Sequence, residues 1–79
     1  MEMTEAQAAE ICMVNNMTEI EVWTLYVNAF TELRTTKICS QAIYQAIFKV
    51  GDRLKLTLRE SMRLYDHLRQ KMVVINPAQ

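Results

Sequence analysis

Residues 18–33, TEIEVWTLYVNAFTEL, wound at about 100° per residue, spread Ile20, Val22, Trp23, Leu25, Tyr26, Val27, Ala29, Phe30 and Leu33 over more than half of a helix circumference. Glu21, Thr24, Asn28 and Glu32 form the narrow polar stripe that is left. Thr18 and Glu21 have the spacing of a capping box, and Met17 with Val22 can staple the entry, so the spacing predicts a helix over 18–34. A helix this apolar must be covered on more than one side, either by its own chain or by another molecule.

The flanking segments read as shorter helices. Thr4 and Gln7 make a second capping pair, with Ala8, Ile11 and Cys12 on one side, which predicts a helix over 4–14 that Asn15 and Asn16 end. After residue 34, Thr35 or Thr36 can cap a third helix over 36–50 that carries Cys39, Ile43, Ala46, Ile47 and Val50 on one face. Gly51, the single glycine, is expected at the C′ position of that helix, where the left-handed conformation is free of a Cβ clash. Thr57 and Glu60 form a third capping box and open a helix over 57–72, with Leu58, Ser61, Met62, Leu64, Tyr65, Leu68 and Met72 on a shared face. Charge and leucine alternate over 53–56 and Val73, Val74 and Ile75 are β-branched, so a minimal two-stranded pairing of 53–56 with 72–75 is expected before Asn76 and Pro77 stop regular structure. The expected fold class is all-α: a small four-helix domain occupying 1–79 as a single unit.

Length and composition agree with that reading. A chain of 79 residues has room for one small core, which excludes a two-domain enzyme. Apolar residues make up 51% and charged residues 23%, which excludes a disordered or collagen-like chain. The apolar runs fall far short of the roughly 18 residues of a membrane span. Two cysteines, Cys12 and Cys39, are too few for a secreted disulfide scaffold, and no cleavable leader pattern opens the chain, so the expected location is cytoplasmic.

The charge is zero in total but uneven along the chain. Residues 1–33 hold six acids (Glu2, Glu5, Glu10, Glu19, Glu21, Glu32) and no Lys or Arg, whereas residues 34–79 hold nine bases against three acids. The halves are therefore −6 and +6, an asymmetry that fits either mutual neutralisation or a basic nucleic-acid surface. Mutual neutralisation explains the zero total as well, and is the preferred account.

Catalytic chemistry finds little material. His67 is the single histidine, and a triad needs a nucleophile, a base and an orienting group. Cys12, Cys39 and His67 stand 27 and 28 residues apart, unlike the closely spaced ligand pairs of structural zinc sites, so no metal and no cofactor are expected. Glu5, Glu19, Glu21 and Glu60 fall in or near first helical turns, where negative charge favours the dipole. No glycine-rich phosphate loop is present.

Two interaction surfaces remain. Trp23, Tyr26 and Phe30 share a sector of the second helix and are the expected protein interface, since aromatic side chains dominate interface energetics. On the fourth helix, Arg59, Arg63 and Gln70 form a polar, basic face suited to a major groove, with Lys49, Arg53 and Lys55 placed to grip phosphates. Against this, the connection from Gly51 to Leu56 is longer than a helix-turn-helix allows. The sequence therefore points first to a non-enzymatic interaction module, a small adaptor or inhibitor of a larger protein, acting as a homodimer. The alternatives are a nucleic-acid-binding regulator and a small subunit or assembly chaperone of a larger complex.

Overall fold

The computed structural model describes residues 2–75, as four helices: α1 (Glu5–Val14), α2 (Glu19–Leu33), α3 (Cys39–Leu54) and α4 (Leu58–Ile75). Reciprocal hydrogen bonds close three of the four N-termini. Thr4 pairs with Gln7, Thr18 with Glu21 and Thr57 with Glu60, each hydroxyl accepting from the N3 amide while the N3 side chain accepts from the cap amide. These are the capping boxes expected from the sequence, and they satisfy amides that the first turn leaves unpaired. No helix among the described residues is long and apolar enough to cross a membrane.

The start and end of α3 differ from expectation. Neither Thr35 nor Thr36 caps it. The amides of Thr35, Thr36 and Lys37 donate to the carbonyls of Glu32 and Leu33, and the Thr35 hydroxyl donates to Glu32 as well. Both threonines are thereby used to wind down α2. The cap of α3 is Ile38, which offers no side-chain acceptor.

Gly51 lies inside α3, not beyond it, and its φ is not positive. Its role is contact. A Cβ at this position would stand 2.8 Å from the Cβ of Ser61, so the missing side chain lets α3 and α4 approach. The helix ends one turn later, where Lys55 takes the left-handed conformation at φ 62°. The Lys55 amide donates to Asp52 and the Leu56 amide to Gly51, the crossed pair of bonds of a Schellman closure. Asn16, at φ 55°, ends α1 in the same manner, with Asn16 donating to Met13 and Met17 to Cys12.

No strand occurs among the described residues. The expected pairing of 53–56 with 72–75 is replaced by helix: Arg53 and Leu54 finish α3, and residues 72–75 continue α4. Leu54 falls on the same helical face as Ile47 and Val50 and is buried with them, a gain that an isolated two-stranded ribbon does not offer. The expected stop at Asn76 and Pro77 lies outside the described residues.

The central element is α2, which packs against each of the other three helices. The core joins Ala8 and Cys12 of α1, Val22 and Tyr26 of α2, Ile47, Val50 and Leu54 of α3, and Leu64 and Leu68 of α4. With only Lys55, Leu56 and Thr57 between them, α3 and α4 form a helical hairpin.

Candidate functional site

The aromatic sector of α2 is divided between core and surface. Tyr26, expected at a partner seam, is 1% exposed and enclosed by its own chain. Its hydroxyl donates to the Ser61 carbonyl at 3.0 Å and lies 3.0 Å from the Ser61 hydroxyl. Burial pushes the Tyr26 phenol up to about 12. It is therefore a core residue, held by a buried polar partner on α4. Trp23 is partly buried and stacks on Tyr65 of α4 with ring centroids 5.7 Å apart, while Tyr65 meets Tyr26 edge-on at 5.4 Å. Phe30 is partly buried. Tyr65 of α4 thus covers Trp23 and Tyr26, while α3 makes the more extensive contact with α2.

Large apolar side chains left in solvent include Met13 and Val14 at the end of α1, Ile20 and Val27 on α2, and Ile38 ahead of α3. On α3, Tyr44 is 52% and Phe48 59% exposed, and on α4, Met62 is 39% exposed. Tyr44 and Phe48 are one turn apart and precede Gly51 by seven and three residues, which puts them on the α4 side of α3. Met62 follows Ser61, the residue seated on Gly51. By their spacing from Gly51, Tyr44 and Phe48 lie toward the α3–α4 seam. The sequence carried a signal for this face, because Tyr44 and Phe48 fall more than about 100° from the centre of the arc set by Ile43, Ala46, Ile47 and Val50.

The opposite charges of the two halves meet within the chain. Lys71 of α4 bridges Glu19 of α2 at 2.6 Å and Glu5 of α1 at 3.2 Å. The hydrogen bonds it donates to the Glu19 and then the Glu5 carboxylate hold its ammonium above the usual lysine range. His67 lies one turn before Lys71, with Nε2 3.7 Å from Glu5 Oε1. Lys49 pairs with Glu32 at 3.3 Å. The two Lys71 pairs and the Lys49 pair cross from the acidic half to the basic half, which gives the charge asymmetry a structural role.

The remaining basic residues are less engaged. Among the described residues, Arg53, Lys55, Arg59 and Arg63 make no ion pair, and they gather around the α3–α4 turn. Of the candidate nucleic-acid contacts, Lys49 is tied to Glu32 and Gln70 is exposed on α4. The turn itself spans only Lys55–Thr57, because α3 continues through Gly51, so the objection from connection length does not hold.

Beside the turn, a groove of about 410 Å³ opens between α1 and the hairpin, lined by apolar Ile11, Val14, Leu54 and Leu56 and by charges of both signs, Glu10 and Glu60 with Lys55 and Arg63. Cys12 is buried, and burial, reinforced by the charge of Glu19, pushes its thiol up, a direction that disfavours the reactive thiolate. Cys39 is exposed at the start of α3.

In comparison with known proteins, no family, no curated protein and no solved structure matches the chain.

Proposed function

We propose that the protein is a non-enzymatic protein–protein interaction module that acts as a homodimer, with the α3–α4 seam as its contact face. One observation carries this reading: Tyr44 and Phe48 stand more than half exposed, one turn apart on α3, and Met62 of α4 is exposed as well. Aromatic residues and methionine are the types enriched at interfaces. Two features favour a second copy as the occupant. Net charge is zero, so copies approach without overall repulsion. A pair of exposed aromatics is also complementary to itself about a two-fold axis. An adaptor or inhibitor role toward a larger protein is the natural use of such a module. Sedimentation of the full chain, with and without the Phe48→Ser substitution, tests the reading.

A nucleic-acid-binding regulator is the second reading, favoured by the four unpaired bases Arg53, Lys55, Arg59 and Arg63 around the turn. Arg59 and Arg63 are a turn apart on α4, and guanidinium groups suit phosphate oxygens and guanine edges.

A further inference from the structure

We propose that Glu5, Glu19 and His67 form a binding site for a divalent transition-metal ion of the zinc class. The three residues come from α1, α2 and α4, and one ligand atom from each lies within 4.8 Å of the others. A search for closely spaced ligands along the chain overlooks this set, since its members are separated by 14 and 48 residues.

Three features of the site point to a cation. His67 Nε2 is buried without a hydrogen-bond partner, and a buried polar atom left alone is costly. Its nearest acidic neighbour, Glu5 Oε1, is 3.7 Å away, too far for a hydrogen bond. Two donors bound to one tetrahedral zinc at the usual ~2.0–2.1 Å stand roughly 3.3 Å apart, so a small closure of this pair brings both into coordination.

The second feature is Lys71, whose Nζ lies 3.2 Å from Glu5 and 2.6 Å from Glu19. The two carboxylates already converge on one positive centre. Lysine is a compact charge on a flexible four-carbon stem, and this side chain retains 33% of its exposure, so it can swing into solvent as an ion enters.

The third feature is charge balance. A single ammonium leaves one of the two carboxylate charges uncompensated, whereas a dication with a neutral imidazole balances both. A mixed imidazole and carboxylate set selects zinc and its neighbours over magnesium or calcium, which prefer oxygen alone. The remaining coordination position is left for water.

The test is titration of the tag-free full chain, stripped with a chelator, with Zn²⁺ by calorimetry and with Co²⁺ by visible absorption, on a Cys39→Ser background that removes the exposed thiol. The expected result is one ion per chain. Binding should weaken by roughly tenfold or more in His67→Gln and in Glu5→Gln, and tighten in Lys71→Gln, which removes the competing ammonium. Glu5 is exposed, so Glu5→Gln serves if His67→Gln fails to fold by circular dichroism. Absence of binding at millimolar Zn²⁺, or binding that neither ligand substitution weakens, overturns the proposal. Weaker binding in Lys71→Gln overturns the competition between the ammonium and the ion.

Discussion

The Tyr26 hydroxyl of α2 donates to the Ser61 carbonyl of α4 at 3.0 Å, and the Ser61 hydroxyl donates in turn to the Ile47 carbonyl of α3 at 2.7 Å. A single chain of polar contacts thus joins three helices inside the core, where neither hydroxyl meets water. Tyr26→Phe keeps the ring and deletes one link. A buried neutral hydrogen bond contributes about 1 kcal/mol, and for a domain of this size that lowers the melting temperature by roughly 4–8 °C. Thermal melts of the two proteins measure it, and an unchanged midpoint would show that the hydroxyl contributes nothing.

The same phenol makes stability fall in alkali. Its value rises from 10.0 to about 12 on folding because burial disfavours the phenolate. Between those values the unfolded chain has lost a proton that the folded chain retains, so raising the pH favours unfolding. This contribution is complete below pH 10 and declines as the pH climbs through about 12, by a total on the order of 2–3 kcal/mol. Urea midpoints measured across that window should fall less steeply in Tyr26→Phe, which has no phenol at this position to ionise.

Gly51→Ala should reverse the usual effect of alanine in a helix. Propensity alone favours alanine by about 1 kcal/mol. The new methyl group would meet the Ser61 Cβ at 2.8 Å, and forcing an extra carbon into a packed seam costs about 1–3 kcal/mol. The net expectation is destabilisation, read from the denaturant midpoint. A more stable variant would mean that the two helices part easily at this position.

On the proposed homodimer reading, Phe48→Ser should abolish self-association in sedimentation while leaving the helical circular dichroism nearly unchanged, because the side chain is 59% exposed. Tyr44→Ser should act in the same direction. A wild-type chain that sediments as a monomer at high concentration removes homodimerisation.

The nucleic-acid reading makes a separate forecast. Binding of generic duplex should weaken steeply with added salt as condensed counterions are released, and weaken again when Arg59 and Arg63 become alanine. Affinity that responds to neither change removes this reading.

Helix number and three of the four N-terminal caps were legible because each rests on contacts within a few residues along the chain, whereas for α2 the spacing showed a need for cover and not which molecule supplies it. Thr18 and Glu21 find one another whatever surrounds them. The boundaries of α3 were not legible in that way. Thr35 and Thr36 are competent caps, and only the competing carbonyls of Glu32 and Leu33 settle which helix uses them. Gly51 is similarly ambiguous: a lone glycine near a helix end suits a cap and a close contact equally, and its use depends on Ser61, ten residues away. The aromatic sector was located correctly on α2, but its division into the buried Tyr26 and the partly buried Trp23 and Phe30 depends on where α4 lies. The grouping of Glu5, Glu19, His67 and Lys71 depends on long-range packing and leaves no local pattern.

The bare start of α3 has a kinetic consequence. Ile38 offers no acceptor to the first amides of the helix, and Cys39, Ser40 and Gln41 are exposed. Deuterium should enter this turn sooner than the capped heads of α1, α2 and α4, so among the four helix starts the one leading into the aromatic pair of α3 should open most readily.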